Sequence, residues 1–309
     1  MDTMRDLLVG STGFVGGNLI KSHGFYGVCH SIDIKGFYGM KPDLCVYAGI
    51  PAAMFLANSA PERDLEIMKV ARENIRRLEP EKVVLISTIA VYGNPINVDE
   101  DSKICNKGFS AYGRNRLQFE RWVKEDYPDA LIIRLPALYG TGLKKNFLFD
   151  LHSIVPAMLE PEKYEELSRE SQLVRKSYVL ESNGFYVIVK NTDRESLRKY
   201  FEKNDFNALS FTDSRSRFQF YNLNRLWQDI QIGLDCKLGI INLTTPPVST
   251  FEVYEFVTGM NNWTNKLEKS PFNYDVKSKY SELYGGENGY LITKQEELQD
   301  IRKFMMEWK

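Results

Sequence analysis

The stretch Leu7-Leu8-Val9-Gly10-Ser11-Thr12-Gly13-Phe14-Val15-Gly16-Gly17-Asn18-Leu19-Ile20 decides the fold. A short apolar run ends on a glycine, and a helical pattern begins just after Gly13, so the segment predicts strand, turn and helix. Gly10, Gly13 and Gly16 recur every three residues. That spacing lets the backbone turn tightly, approach a bound group closely and seat the helix against a sheet. The N–H groups at the helix start then serve an anion, and the pyrophosphate of a dinucleotide suits them. The loop's cofactor-binding candidates are Gly10, Thr12, Gly13, Phe14, Val15 and Gly16, with Ala48 at the end of a later strand.

Working outward, short apolar runs alternate with helical patterns through the first half of the chain. Strands are expected near Leu7 to Val9, Tyr26 to Ser31, Leu44 to Ala48, Val83 to Ser87 and Leu131 to Arg134. Crossover helices are expected after Pro61 and from Ala111 to Lys124. This is the pattern of an α/β protein with a Rossmann-type, doubly wound parallel sheet. Asp33 lies seventeen residues after Gly16, near where an acidic side chain accepts hydrogen bonds from an adenosine ribose and repels a 2′-phosphate. That favours NAD. If the second strand stops at Ser31, Asp33 only caps the next turn, His30 and Lys35 face the ribose instead, and NADP stays open. After about Phe147 the style changes: two apolar runs flank Asn183-Gly184, a hairpin signal, and a helix opens at Thr192 or Asp193. A dinucleotide domain over 1–146, rejoined by about 213–245, and a smaller α+β substrate lobe over 147–212 and 246–309 are expected.

The bulk numbers narrow the function. At 309 residues, 43% hydrophobic and 26% charged, the chain has an ordinary globular composition. Its net charge of −1 is evenly mixed, so no basic field exists to hold nucleic acid. No apolar run approaches the ~20 residues of a membrane helix, and Leu7 to Val9 is too short for a signal-peptide core. Cys29, Cys45, Cys105 and Cys236 form no CxxC pair, which fits free thiols and a cytoplasmic location. His23, His30 and His152 stand apart from any ligand spacing, so no metal site is expected. Phe251, Tyr254 and Val257 fit the core side of a helix.

Three further segments come after the glycine loop. They are Leu85-Ile86-Ser87-Thr88-Ile89-Ala90-Val91-Tyr92-Gly93, Tyr112-Gly113-Arg114-Asn115-Arg116 with Glu120, and Arg134-Leu135-Pro136-Ala137-Leu138-Tyr139-Gly140. With the loop, they resemble the extended short-chain dehydrogenase/reductases, the group of sugar-nucleotide epimerases, dehydratases and reductases, over roughly residues 5 to 145. The resemblance implies an NAD(P)-dependent enzyme acting on a nucleotide-linked sugar by hydride transfer. Tyr112 would be the acid and base, its phenol made more acidic by a nearby cation. Thr88, with Ser87 adjacent, would hold the substrate oxygen. The family places Lys four residues after the Tyr, and this chain has Arg116 there. An Arg still presents a cation and donors to the cofactor ribose on the same helix face, but it never yields its proton.

The 4,6-dehydratases of the family carry an Asp-Glu pair where this chain has Ile89-Ala90, so dehydration is disfavoured and epimerase and reductase both stay open. Arg217, opening Arg217-Phe218-Gln219-Phe220-Tyr221, resembles a diphosphate-binding segment; Lys144, Lys145 and Asn146 are further substrate-binding candidates. The Asn usual at Ala137 is missing. Relatives pair through the tyrosine-bearing helix, which implies a homodimer. Two other readings remain: a non-catalytic dinucleotide-binding or redox-sensing protein with a degenerate Tyr-x-x-x-Arg site, and a reductase of another small carbonyl compound.

Overall fold

The computed structural model describes residues 4–104 and 109–308; Cys105 lies outside them. Six parallel strands form the main sheet: β1 (Asp6–Val9), β2 (Gly27–Cys29), β3 (Leu44–Tyr47), β4 (Lys82–Thr88), β5 (Leu131–Leu135) and β6 (Ile240–Asn242). Their order is β6-β5-β4-β3-β1-β2. The chain steps outward from β1 to β2 and returns to β3 on the other side, so the order reverses between β1 and β3. Ligands of open α/β sheets bind beyond the carboxyl ends of strands at such a reversal. The glycine loop leaves β1 at that end.

The helices are α1 (Phe14–Ser22), α2 (Met54–Ser59), α3 (Pro61–Leu78), α4 (Ala111–Asp126) and α5 (Leu226–Asp235). Alternation along the strands divides their side chains between two faces. Leu7, Val9, Cys45, Tyr47, Val83 and Leu85 meet Met68, Ala71 and Ile75 of α3 and Phe119 and Val123 of α4. Leu8, Val46, Val84 and Ile133 meet Leu19 of α1 and Leu226 and Ile230 of α5. Each such fully buried aliphatic side chain contributes roughly 1.5–3 kcal/mol. Helix α3 begins on Pro61, carries Glu62 and Asp64 in its first turn and Arg76 and Arg77 in its last, as the helix dipole favours. Ser110 caps α4 by accepting from the Gly113 N–H at 3.1 Å.

The described residues fall into two compact units. The first takes those of 1–143, 217–248 and 273–304; the second takes 144–216, 249–272 and 305–308. Residues 273–304, placed by the sequence in the smaller lobe, thus belong with the sheet. Tyr284 and Leu291 lie in the core of its α1 and α5 face. The wholly buried Glu297 accepts from the Phe220 N–H at 2.8 Å and the Thr245 hydroxyl at 2.9 Å. The second unit holds a three-stranded antiparallel sheet, Met158–Leu159, Tyr186–Ile188 and Tyr178–Leu180. Gly184, at φ +84°, turns its hairpin, and Asp193 caps the helix Arg194–Glu202. Val155, Leu167, Val174, Leu197 and Phe201 form this unit's own core. Among the described residues no helix is long and apolar enough to cross a membrane.

Candidate active site

Gly10 has φ +94°, and a Cβ there would lie 2.5 Å from the Ala48 carbonyl oxygen. At Gly16 a Cβ would lie 2.2 Å from the Gly10 carbonyl oxygen. Both positions therefore exclude any side chain, one by conformation and contact, the other by contact with backbone. Gly13 sits at the N-cap of α1, where no side chain bonds the helix start, and Thr12 and Gly13 are exposed there, with Phe14 and Val15 half-buried. Asn18 donates to the carbonyls of Phe14 at 2.8 Å and Thr141 at 3.0 Å and accepts from the Thr141 N–H. This ties the loop's helix to the Tyr139-Gly140-Thr141 turn. Beside the loop a groove of about 410 Å³ is lined by Ser31, Gly49, Ile50, Pro51, Arg63 and Glu66, among others.

Strand β2 ends at Cys29, earlier than the sequence suggests. His30, not Asp33, stands at its carboxyl end, and its Nδ1 lies 2.8 Å from the Thr12 hydroxyl. Asp33 is exposed at the start of the 3-10 turn Ile34–Phe37 and lies 3.8 Å from the other His30 nitrogen. The expectation that Asp33 closes the strand is corrected, because the chain leaves the sheet four residues before it.

Tyr112 occupies the first turn of α4 and is buried. Its N–H donates to Asn58 Oδ1 at 3.0 Å. Gly113 packs so closely on the end of β4 that a Cβ would stand 2.1 Å from the Ala90 carbonyl oxygen. This contact brings the phenol within hydrogen-bonding reach of the Thr88 hydroxyl, which also accepts from the Ala90 N–H at 3.2 Å. Arg116, one turn on, lays its guanidinium over the Tyr112 ring at 4.0 Å from the centroid. The same guanidinium donates to Asp64 Oδ2 and, at 2.6 Å, to the Pro51 carbonyl. Asn115 donates to the same Asp64 oxygen at 2.8 Å.

The electrostatics reverse one expectation. Burial pushes the Tyr112 phenol above its ordinary range; the charge of Arg116 pulls it down, and that of Asp64 pushes it back up. The cation is present as the sequence suggests, but it is paired, and desolvation outweighs it. A second correction concerns Ser87. Its hydroxyl donates to Glu120 Oε1 at 2.5 Å, inside a buried cluster in which Arg134 also donates to Glu120, at 2.6 Å, and to Tyr92 OH at 2.8 Å. Ser87 thus serves this cluster while Thr88, next along the strand, lies by Tyr112.

Arg217 is exposed and donates to the Pro247 carbonyl at 3.1 Å. In the second unit, Lys144 and Lys145 are exposed. Asn146 has its carboxamide oxygen engaged by the N–H groups of Leu148 and Phe149, capping the helix Phe147–Ser153. Asp64, Asn58 and Asn18 were not singled out by sequence. Asn18 carried a signal, lying inside the glycine motif, whereas Asp64 meets Arg116 from 52 positions away.

Residues 37–173 match the family model described as the NAD dependent epimerase/dehydratase family. This segment is an epimerase/dehydratase-family segment. The match starts beyond the glycine loop and includes the Thr88 and Tyr112 motifs, and the family agrees with the extended short-chain dehydrogenase/reductase resemblance. A dTDP-4-dehydrorhamnose reductase of Clostridium acetobutylicum superposes with a TM-score of 0.63 at 16% identity, covering 98% of this chain and 100% of its own. A dTDP-4-dehydrorhamnose reductase of Bacillus anthracis, solved with NADP, gives 0.61 at 15% identity, with 99% and 100% covered. A UDP-glucose 4-epimerase of Thermotoga maritima, solved with UDP-glucose, gives 0.59 at 13%, with 97% of both chains covered. At these identities the likeness establishes the epimerase/dehydratase-type fold. A search of curated proteins found no match.

Proposed function

We propose that the chain is an NAD(P)-dependent oxidoreductase or epimerase of a nucleotide-linked sugar, with Tyr112 as the acid and base. The observation that carries this reading is the convergence of Tyr112, Thr88 and Arg116 at the carboxyl end of β4 in a sheet that bears the glycine loop. The loop's bare backbone, the uncapped start of α1 and the adjoining groove fit a dinucleotide. Gly10, Thr12, Gly13, Phe14, Val15, Gly16 and Ala48 would hold it, and His30 with Arg63 would face its adenosine end. Bound there, a nicotinamide cofactor supplies or accepts the hydride.

The chain's own residues handle the proton. In the reducing direction the substrate carbonyl carbon takes the hydride, its oxygen takes the Tyr112 proton, and the phenolate recovers a proton from solvent. Thr88 holds that oxygen by a hydrogen bond, and Arg116 stabilises the phenolate by its charge. Arg217 is the candidate for the substrate diphosphate, with Lys144 and Lys145 as further cations. Ile89 and Ala90 offer no extra acid and base, so a redox step or an epimerisation is favoured over 4,6-dehydration.

One observation favours a second reading. Arg116 is held by Asp64 and the Pro51 carbonyl, which suits a dinucleotide-binding protein without turnover. The test is titration with NAD(H) and NADP(H), then a panel of nucleotide sugars and their 4-keto forms, following reduced-cofactor absorbance and sugar interconversion. Tyr112→Phe is expected to lower kcat by about 10²–10⁴-fold and leave cofactor affinity unchanged. Cofactor binding with no turnover on any sugar, in the wild type and in Arg116→Lys alike, would establish the second reading.

A further inference from the structure

We propose that Asp64, acting through Arg116, is a positioning residue that governs proton transfer at Tyr112. The proposal rests on the reading of Tyr112 as the acid and base. Asp64 and Arg116 are both buried, with side chains 8% and 5% exposed. A buried ion pair is costly to desolvate and is no general stabiliser, so its place directly against the candidate catalytic phenol calls for a local explanation.

The geometry gives one. Asp64 lies in the first turn of α3 and receives hydrogen bonds on one oxygen from both Arg116 and Asn115 of α4. A second Arg116 nitrogen is engaged by the Pro51 carbonyl, and the guanidinium plane is thereby fixed over the Tyr112 ring. A lysine at this position would be a mobile point charge, whereas the arginine is a planar fork held at two ends. The groups that face Tyr112 are Arg116 from α4, Asp64 from α3, the Thr88 hydroxyl from the end of β4, and Asn58 of α2 at its backbone N–H. Among the described residues, only Arg116 and Asp64 act on the phenol as charges, and they act in opposite directions. Arg63 and Glu66 of α3 are exposed and line the neighbouring groove.

Asp64 therefore acts in two ways. It keeps Arg116 aligned, and it cancels part of the charge that Tyr112 would otherwise feel. Removing its charge while keeping its shape should let Tyr112 ionise at lower pH. The sign is the same for both directions of reaction: the limb of kcat/KM that rises with a base, and the limb that falls with loss of an acid, both move toward acid.

The test is Asp64→Asn. Tyrosinate absorbance is titrated in wild type and in Asp64→Asn, each subtracted from its own Tyr112→Phe counterpart so that only Tyr112 is read. The pH profile of kcat/KM is measured alongside. The expected result is a downward shift of Tyr112 ionisation by about one pH unit or more, matched by the limb of the rate profile, with Asp64→Glu close to wild type. A folded Asp64→Asn protein in which Tyr112 ionises at the wild-type pH or above it would overturn the proposal. A shifted ionisation with an unmoved rate limb would overturn it as well. If Asp64→Asn does not fold, Arg116→Lys is compared with Arg116→Lys/Asp64→Asn, because a buried lysine can shed its charge. Tyr112 should then ionise lower in the double variant, and equality would refute the coupling. Since the titration reads Tyr112 without turnover, absence of any sugar chemistry would count against the enzyme reading alone.

Discussion

Gly113 shows how one residue holds two elements in register. Its missing side chain lets α4 approach the Ala90 carbonyl, and a Cβ at 2.1 Å from that oxygen would meet backbone that cannot swing aside. Gly113→Ala must therefore push the first turn of α4 away from the end of β4 and separate Tyr112 from Thr88. The expected outcome is a loss of about 1–3 kcal/mol in stability, with kcat falling more than cofactor affinity. Thermal melts, kcat and cofactor titration on one preparation check this, and a variant with native stability and native kcat would contradict it. At this scale the sequence was legible where residues act through local spacing. Tyr112, Gly113 and Arg116 lie within one turn and could be read together. Asp64 could not, since nothing in the order of residues says that α3 presents a carboxylate to α4. The acidity of Tyr112 was not legible for the same reason: the motif names the cation, but burial and a distant carboxylate decide the balance.

Helix α4 is fastened to its surroundings by two polar contacts one turn apart, Arg116 on Asp64 and Glu120 on Arg134. Tyr112, Arg116 and Glu120 fall at successive fourth positions, so one stripe of the helix carries both the candidate chemistry and its anchor. Glu120 and Arg134 have side chains only 4% and 3% exposed, and Ser87 completes the carboxylate's partners from β4. Glu120→Gln would leave Arg134 buried without its counter-charge, and removing one partner of such a pair costs about 3–5 kcal/mol. Chemical denaturation should show that loss. Glu125→Gln, on the exposed side of the same helix, should change stability by less than ~0.5 kcal/mol; equal effects of the two changes would remove Glu120 from its anchoring role. The sequence paired Ser87 with Thr88 as neighbours in one site. Side chains on a strand alternate in direction, and that rule alone separates them: Thr88 by Tyr112, Ser87 in the anchor cluster.

The chain leaves the sheet unit after residue 143, returns at 217, leaves again after 248 and returns at 273. The first return was legible because β6 is an apolar run; the second was not, because Tyr284 and Leu291 lie in short irregular segments whose burial depends on partners far along the chain. Each unit has its own core, so conditions can bear on one without the other. Asp150, in the second unit, is the clearest case. Burial pushes its carboxyl up to about 7, so the folded unit holds this proton more tightly than the unfolded chain does. Such a group favours the fold fully below the ordinary carboxylate range, and that contribution is lost as pH rises through about 7. Asp150→Asn removes the charge without changing the shape. At pH near 8 the variant should be more stable than the wild type by about 1–3 kcal/mol, and at pH near 4 the two should coincide. Trp263 and Trp308 belong to this unit and Trp122 and Trp227 to the other, so tryptophan fluorescence with single Trp→Phe changes assigns each melting transition. A difference between Asp150 and Asn that stays constant from pH 4 to 8 would mean that this carboxyl titrates alike in the folded and unfolded chain.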